Sequence, residues 1–249
     1  MSFEGKTALV TGASSGLGAA TVRLLAARGA DVYAASRDQQ RLAEVAESCA
    51  DLPGSVTIGR LDVASPASCR EAVAAATALH GRLDVLVNNA GRHDFRVTTE
   101  VTDEQWDHDI ATNLSGAFHC ARAAIPQLLE SGGAIVNVSS VAGQVGEAYS
   151  AAYSAAKHGI VGLTKALAVE YVKTPLRVNC VCPGGMDTAQ VHTIDFPPGA
   201  DFELIMRVAA TRGFMSAESV AETIAFLASD AARSVNGAVM VVDQGHLAG

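Results

Sequence analysis

Basic residues and long apolar runs are both scarce in this sequence. Its 18 lysines and arginines face 26 aspartates and glutamates, which gives a formal net charge of −8. A protein that binds nucleic acid needs a basic face to displace counterions from phosphates, and no Lys/Arg cluster supplies one. No apolar stretch approaches the roughly 20 residues that a membrane helix needs. We therefore predict neither a nucleic-acid partner nor a membrane span.

The sequence also lacks closely spaced cysteine pairs and an apolar signal segment at its N-terminus. None of the five cysteines belongs to a C-x-x-C pair, and their odd number favours reduced thiols in a reducing compartment. Met1–Lys6 has no apolar signal core, so we expect a cytoplasmic protein. We also expect Cys180 and Cys182 to point to opposite faces of a strand. The cysteines are Cys49, Cys69, Cys120, Cys180 and Cys182.

The seven histidines lack the spacing of a metal cage and form no obvious triad with a serine and a carboxylate. We therefore predict no metal site. His93 and His192 lie where they could contact a substrate, but we interpret both as solvated loop residues. We interpret Trp106 and Phe118 as residues that pack within helices.

What the sequence does contain is a regular alternation of short β-branched runs with longer Ala/Leu-rich segments. This pattern indicates a parallel sheet with helices on both faces. Without a linker or a repeat, we predict a single α/β domain over residues 1–249. The predicted strands span residues 6–11, 31–35, 55–61, 83–87, 134–138, 176–181 and 238–242. The predicted helices span residues 18–28, 39–49, 66–79, 103–129, 150–171 and 217–228.

One irregular region interrupts this alternation, at about residues 184–214. It contains Pro197-Pro198-Gly199 and has mixed polarity. A long insert after the carboxyl end of a strand is more often functional than neutral. We therefore predict a substrate lid here.

A glycine-rich turn, Thr11–Gly18, follows the first predicted strand and opens the first helix. Its glycines allow backbone N–H groups to approach a pyrophosphate, whose charge the helix N-terminus favours. The spacing, Gly12-x3-Gly16-x-Gly18, departs from G-x-G-x-x-G. The alternative interpretation is a turn that serves only close packing of helix against strand.

Several motifs in order resemble the short-chain dehydrogenase/reductase family over nearly the whole chain. The resemblance implies a Rossmann-type doubly wound sheet of seven strands in the order 3-2-1-4-5-6-7. It also implies hydride transfer between a nicotinamide and a carbonyl or alcohol, and a homotetramer or homodimer. Gln244 departs from the pattern, since the family usually has glycine there. The matching residues are Thr11-Gly12-x3-Gly16-x-Gly18, Asn88-Asn89-Ala90-Gly91, Asn113, Ser140, Tyr153, Lys157 and Pro183-Gly184-x3-Thr188.

The end of the second strand bears on which nicotinamide cofactor is used. An acidic residue there usually binds the adenosine ribose hydroxyls of NAD. This chain has Ser36 and Arg37, which can donate to and pair with a 2′-phosphate. We therefore favour NADP(H), with NAD(H) as the alternative. The alternative interpretation is that Arg37 only caps the loop and points into solvent. Asp38, one residue further on, is an acidic residue that complicates the assignment.

The glycine turn and the resemblance together imply the residues that hold the cofactor. Asp62 has an alternative interpretation as a residue of the turn before a helix. The predicted cofactor-binding residues are Gly12, Ser14, Ser15, Gly16, Leu17, Gly18, Ser36, Arg37, Asp62, Val63, Asn89, Ala90, Gly91, Tyr153, Lys157, Pro183, Gly184, Met186 and Thr188.

Tyr153 and Lys157 lie four residues apart, on one face of a predicted helix. A nearby ammonium favours the phenolate and lowers the tyrosine pKa from about 10, so the pair can exchange a proton with a substrate oxygen. Ser140 follows the fifth strand and could stabilise charge growing on that oxygen, whereas we expect Ser139 to face the other way. By resemblance, Asn113 distorts its helix and binds a water that links Lys157 to solvent.

The substrate is a small carbonyl or alcohol compound whose class the sequence leaves open. A 3-oxoacyl thioester on a carrier protein is less favoured, because Gln127–Gly133 offer no basic residue and Lys173 is the nearest. Sugars, polyols and steroids stay open, and a nucleotide-binding protein without turnover is the least favoured alternative. The candidate substrate contacts are Arg92–Arg96, Val141, Gln144, Gly184–Met186, His192, Phe196, Phe202 and Met206.

Overall fold

Seven parallel strands form one sheet in the computed structural model, which describes residues 1–188, 191–208 and 212–248. The strands are β1 (Thr7–Thr11), β2 (Asp31–Ser36), β3 (Ser55–Arg60), β4 (Val85–Asn88), β5 (Ala134–Val138), β6 (Arg177–Pro183) and β7 (Val239–Val242). Their order is β3-β2-β1-β4-β5-β6-β7, and every neighbouring pair is parallel. This order confirms the predicted doubly wound topology.

Helices follow the strands along the chain. They are α1 (Gly16–Ala27), α2 (Gln39–Glu47), α3 (Pro66–Ala78), α4 (Asp103–Ile110), α5 (Gly116–Ser131), α6 (Ala151–Glu170), α7 (Phe202–Met206) and α8 (Ala217–Ala228). Short 3₁₀ turns lie at Thr98–Glu100, Val141–Gly143, Val191–Thr193, Asp230–Ala232 and His246–Ala248. Among the described residues, no helix has both the length and the apolar character needed to span a bilayer.

The central strands are apolar because helices cover both of their faces. Every residue of β1, β4, β5 and β6 is buried. One core lies between the sheet and the pair α1 and α8, and a second lies between the sheet and the pair α3 and α5. Continuous apolar strands are typical of a parallel sheet covered on both sides.

A chain of buried polar side chains ties α6 to the middle of the sheet. Asn88 Nδ2 donates to Asn137 Oδ1 at 2.9 Å, and Asn137 Nδ2 donates to Thr164 Oγ1 at 2.9 Å. Buried amides must find such partners, because an unpaired one costs about 1–3 kcal/mol. The chain of bonds therefore fixes α6 against the carboxyl ends of β4 and β5.

Two expectations from the sequence were wrong. The predicted helix 103–129 is divided into α4 and α5 by a π-helical turn at Ala111–Ser115. Cys180 and Cys182 do not point to opposite faces, since their Sγ atoms lie 4.0 Å apart. The physical reason is that strand side chains alternate with a period of two, so residues i and i+2 share a face.

Candidate active site

The glycine-rich segment after β1 folds into a tight turn that leaves the start of α1 open. Gly12 and Gly16 adopt positive φ angles of 64° and 49°. A Cβ atom on Gly18 would lie 2.2 Å from the Gly12 carbonyl oxygen. Ser15, which precedes α1, makes no side-chain cap hydrogen bond. The first N–H groups of α1 therefore have no side-chain partner at this cap, an arrangement that fits the phosphates of a dinucleotide.

Asn89 joins the end of β4 to this turn. Its Nδ2 atom donates to the carbonyl oxygens of Thr11 at 3.0 Å and Gly12 at 3.1 Å. Thr11 Oγ1 in turn accepts from the backbone N–H groups of Asn89 and Ala90, both at 3.0 Å. Asn89 thus lines the cavity, but its amide holds the glycine turn in shape, a role that the sequence did not reveal.

Two hydroxyl groups and a guanidinium lie at the end of β2. Ser36 Oγ donates to Ser14 Oγ at 2.9 Å. Arg37 is exposed and makes no hydrogen bond or ion pair with the described residues. The carboxylate of Asp38 caps α2 by accepting from the Arg41 backbone N–H at 3.0 Å. The Asp38 carboxylate is therefore engaged with α2 and does not line the cavity.

Asp62 lies both in the turn before α3 and in the lining of the cavity. Its Oδ1 atom accepts from the Ala64 backbone N–H at 3.1 Å, and its own N–H donates to Ser68 Oγ at 3.1 Å. Ser65, three residues on, caps α3. Asp62 therefore shapes the turn before α3 while it also lines the cavity.

A cavity of about 310 Å³ extends from the glycine turn to Tyr153. Every residue predicted to bind the cofactor lines it. It reaches the carboxyl ends of the central strands, where doubly wound sheets bind their ligands. Most of the additional lining residues are sequence neighbours of predicted ones, so the strand ends themselves were a usable signal. Ser140, a predicted catalytic residue, and Arg92, a predicted substrate contact, also line the cavity; the lining residues that were not predicted are Leu61, Thr112, Val138 and Ser139.

Tyr153 and Lys157 lie one turn apart on α6, beside the end of β5. Lys157 Nζ lies 5.5 Å from the centroid of the Tyr153 ring and donates to the Val138 carbonyl oxygen at 3.0 Å. Ser139 Oγ donates to the Lys157 carbonyl oxygen at 2.8 Å, which anchors α6 to the strand end. Ser140 Oγ accepts from the Ala142 backbone N–H at 3.2 Å.

Burial changes the pKa values of both groups. It raises the pKa of Tyr153 well above the usual value, and the hydrogen bond with Ser140 lowers it by less. Burial also lowers the pKa of Lys157 to about 8, while Cys180 and Cys182 act in the opposite direction. The sequence had suggested a lowered tyrosine pKa. Without a ligand, the loss of hydration around the Tyr153 phenolate outweighs the favourable interactions.

Asn113 lies at the centre of the π-helical turn. Its Nδ2 atom donates to the Asp109 carbonyl oxygen at 3.1 Å, and its Oδ1 atom accepts from the Arg92 backbone N–H at 2.9 Å. The helix is distorted at the position that the resemblance implied. Asn113 does not line the cavity, although a Cβ atom on its neighbour Gly91 would lie 2.8 Å from Asn113 Oδ1.

His93 is not the solvated loop residue that the sequence suggested. Its ring stacks on the Tyr153 ring, with centroids 4.1 Å apart and planes 17° from parallel. Its Nε2 atom forms a hydrogen bond of 2.7 Å with the Ser150 hydroxyl. Sequence reasoning missed this contact because it joins the loop after β4 to α6, and these two segments are far apart in the chain. His192 does fit its interpretation, as an exposed residue 2.7 Å from Asp187 Oδ1.

The predicted lid, 184–214, is described except at residues 189–190 and 209–211, which lie outside the described residues. Phe196 packs between Phe95 and Phe202, with ring centroids 5.0 Å from each. The Asp201 backbone N–H donates to the Tyr149 hydroxyl at 2.9 Å. The lid thus contacts the loop that precedes Tyr153.

Two other expectations concern the rest of the described chain. Trp106 and Phe118 are each 41% exposed, so neither packs fully within this chain as interpreted. Over the described ranges, the structure holds no group of three His, Cys, Asp or Glu side chains able to bind a metal ion.

Comparison with protein families gives a match to one model, short chain dehydrogenase, over residues 6–196. Among curated proteins, the chain is 41% identical over 256 residues to cis-4-hydroxycyclohexanecarboxylate dehydrogenase of Sinomonas cyclohexanicum, covering 99% of this chain and 98% of that one. It is 37% identical over 246 residues to 3-oxoacyl-[acyl-carrier-protein] reductase FabG of Thermotoga maritima, covering 98% and 99% of the two chains.

Among solved structures, the chain resembles a variant of actinorhodin polyketide ketoreductase determined with NADPH. The TM-score is 0.88 and the sequence identity is 34%, and the match covers 99% of each chain. The similarity in sequence and fold therefore extends over essentially the full length.

Proposed function

The chain belongs to the short-chain dehydrogenase family, and we propose that it is an NADP-dependent oxidoreductase with Tyr153 as its acid and base. The family consists of oxidoreductases that act on hydroxyl and keto groups, as the relatives do. The observation that carries the proposal is one cavity with an open glycine turn at one end and Tyr153, Ser140 and Lys157 at the other.

The residues around the glycine turn fit a dinucleotide. A Cβ atom at Gly18 would collide with the Gly12 carbonyl, and the start of α1 is open to an anion. A bound nicotinamide cofactor would supply the hydride for reduction of a carbonyl or accept it from an alcohol. Ser36 and Arg37 would hold a 2′-phosphate, and Thr188 would hold the carboxamide end.

Tyr153 exchanges a proton with the substrate oxygen. During reduction the phenol donates its proton, and burial keeps Tyr153 protonated by raising its pKa. The Ser140 hydroxyl donates a hydrogen bond to the same oxygen and stabilises its developing charge. Lys157 is held beside the Tyr153 ring by its hydrogen bond to the Val138 carbonyl, and an ammonium group in that place would favour the phenolate formed when the proton leaves. Asn113 holds the π-helical turn that brings Arg92 to the cavity.

Preference for NADP(H) over NAD(H) is supported by the chemistry at the end of β2. Ser36 and Arg37 line the cavity there, whereas Asp38 is occupied by α2. A 2′-phosphate is attracted to an unpaired guanidinium and repelled by a carboxylate. The NADPH in the actinorhodin ketoreductase structure is consistent with this preference.

Reduction of a 3-oxoacyl thioester is a second candidate, favoured by similarity to the FabG of Thermotoga maritima. An acidic carrier protein needs a basic docking face, and the end of α5 with the following glycines carries no lysine or arginine over residues 127–133. We therefore rank free ketones and cyclic alcohols above a carrier-bound substrate.

We also propose that the chain forms a symmetric homo-oligomer, a homotetramer by resemblance. Trp106 on α4 and Phe118 on α5 are large apolar residues left exposed on this chain. Symmetric closure is the usual way to bury such surfaces. Location in the cytoplasm stays a prediction from the sequence.

The proposal is tested by mixing the purified protein with NADPH, and separately with NADH, across cyclic and linear ketones, keto-sugars, steroids and 3-oxoacyl thioesters. Loss of reduced nicotinamide is the readout. We expect turnover with NADPH on one class. Turnover with NADH alone would support the proposed oxidoreductase activity but reject the preference for NADP(H).

Tyr153→Phe tests the catalytic role at the same time. We expect a rate at least about a hundredfold lower, because loss of a general acid costs that much, with NADPH binding unchanged. Tyr171→Phe is a matched control, since this tyrosine lies at the end of α6, away from the cavity. Near-normal turnover in Tyr153→Phe would reject the assignment.

A further inference from the structure

A buried carboxyl group lies close to the reaction centre and has no place in the mechanism above. The side chain of Glu147 is only 12% exposed, although it belongs to the loop between β5 and α6. Its Oε2 atom is buried and makes no hydrogen bond with the described residues. A buried charge of this kind is costly, so its protonation must respond to its surroundings.

His93 connects this carboxyl group to Tyr153. Glu147 Oε2 lies 3.4 Å from His93 Nε2, and the imidazole stacks on the Tyr153 ring at 4.1 Å. The Ser150 hydroxyl forms a hydrogen bond with the same Nε2 atom at 2.7 Å. The Glu147 carboxyl group thus lies at the edge of the His93 ring, whose face is stacked on the phenol ring of Tyr153.

The loop that carries Glu147 is held by contacts and strain rather than left free. Tyr149 adopts a positive φ of 61°, a left-handed conformation that is uncommon for residues other than glycine. Its carbonyl accepts from the Arg96 backbone N–H at 2.7 Å, and its hydroxyl accepts from the Asp201 backbone N–H at 2.9 Å. These contacts, one of them from the lid, keep Glu147 and Ser150 beside His93.

From this geometry we propose that Glu147 is a positioning residue. Its negative charge, beside the His93 ring that stacks on Tyr153, holds the proton on Tyr153 and so extends carbonyl reduction to higher pH. The inference rests on the proposed role of Tyr153. When Glu147 is ionised, its negative charge disfavours a second negative charge on the phenolate. Alcohol oxidation needs that phenolate to accept a proton, whereas carbonyl reduction needs the phenol.

Burial and charge are consistent with ionisation close to neutral pH. Burial raises the pKa of Glu147 to about 7, and the nearby Ser150 hydroxyl lowers it by less. Burial also lowers the pKa of His93 to about 4. Between these two values the pair is uncharged, and above about pH 7 Glu147 becomes negative.

Several other charged groups face these residues. Lys157 lowers the pKa of His93, and Asp94 raises it. Asp94 is itself paired with Arg92 at 2.8 Å and Arg96 at 2.7 Å, so two cations offset its charge. Cys182 raises the pKa of Tyr153, in the same direction as Glu147. Replacing Glu147 alone therefore leaves the remaining charges in place.

Glu147→Gln is the test, measured as pH profiles of alcohol oxidation and carbonyl reduction. Removing the negative charge lowers the pKa of Tyr153. We expect the alkaline rise in oxidation to move to lower pH by roughly 0.5–1 unit, and reduction to fall off earlier at high pH. Glu203→Gln, an exposed lid residue, is the matched control and should leave both profiles unchanged. A structural role alone would change the rates without moving either midpoint.

A second measurement does not depend on activity or on a foldable variant. The side-chain carboxyl carbon of Glu147, labelled with ¹³C, is followed by NMR against pH in the protein without cofactor. We expect it to titrate near pH 7. A carboxyl group that stays protonated throughout the alkaline range would carry no charge where oxidation is measured, and this result would overturn the inference.

The two proposals fail in different ways. Absence of any turnover that depends on Tyr153 overturns the proposed function and, with it, the role of Glu147. Normal Tyr153-dependent turnover with unshifted profiles in Glu147→Gln overturns the inference alone.

Discussion

At the scale of single residues, burial and hydrogen bonding act on Tyr153 in opposite directions. Burial raises the pKa of the phenol by more than the hydrogen bond with Ser140 lowers it. The same burial lowers the pKa of Lys157 to about 8. The raised pKa keeps Tyr153 a phenol, which is the form that gives a proton to a carbonyl oxygen. The spacing of Tyr153 and Lys157 predicted that both side chains lie on one face of a helix, but it contained no information about how far burial removes water from them.

Ser36 and Arg37 give a prediction at the same scale. We expect Ser36→Asp with Arg37→Ala to lower the preference for NADPH over NADH by roughly tenfold or more, equivalent to about 1.4 kcal/mol. The physical reason is that the change replaces a donor and a cation with a carboxylate that repels the 2′-phosphate. The ratio of kcat/KM for the two cofactors is the measurement.

Arg41→Ala serves as the control for this prediction. Arg41 is an exposed arginine on α2, where it pairs with Asp38 at 3.5 Å. Its loss should leave the cofactor ratio unchanged. An unchanged ratio in the double variant as well would show that neither Ser36 nor Arg37 contacts the 2′-position.

At the scale of elements, the site depends on how strand ends meet helix starts. The turn between β1 and α1 needs glycine because there is no room for a side chain: Gly18 lies against the Gly12 carbonyl group, and Gly12 lies against the backbone of Ala90 after β4. The long helix after β4 needs an irregular turn, because Asn113 bonds both within the helix and to Arg92 outside it. Glycine spacing predicted the first feature. The helical pattern of residues 103–129 did not by itself reveal the second, since it records apolar periodicity and not hydrogen-bond partners.

Gly18→Ala tests the turn. The added Cβ atom would lie 2.2 Å from the Gly12 carbonyl oxygen, so the backbone must shift. Overpacking of this kind costs about 1–3 kcal/mol. We expect a lower urea midpoint together with weaker NADPH binding, measured by fluorescence titration.

Gly162→Ala is the matched control within α6. No atom lies within 4 Å of the position where its Cβ would be placed. Because alanine favours a helix over glycine, we expect a gain of roughly 0.5–1 kcal/mol and unchanged NADPH affinity. Equal stability losses in the two variants would contradict the steric argument at Gly18.

At the scale of the whole molecule, one chain leaves large apolar side chains in water. Trp106 and Phe118 are each 41% exposed, and Val169 near the end of α6 is 73% exposed. Gln244 has a positive φ of 57°, a conformation that glycine adopts without strain, which fits the expectation of glycine that the resemblance gave for this position.

A symmetric assembly is the prediction that belongs to this scale. We expect gel filtration with light scattering to give a mass that is a multiple of 25.5 kDa, the mass of one chain. Phe118→Glu should shift the distribution toward smaller species, because a charge is costly to bury at an interface. Phe202→Glu makes the same apolar-to-charged change at an exposed phenylalanine of the lid, and it should not shift the distribution. A monomer in the unsubstituted protein would reject the assembly.

The sequence by itself determined the order of strands and helices, the glycine turn and the group of residues near Tyr153. Each of these depends on local patterning or on motifs in order. The structure brings the predicted cofactor-binding residues and Ser140 to one cavity, whereas Asn113 lies outside its lining. Only the tertiary structure decided that His93 stacks on Tyr153 and that Glu147 is buried beside the His93 ring. These contacts join segments from different strands, loops and helices. Burial and charge act between such neighbours in space, and spacing along the chain does not record them.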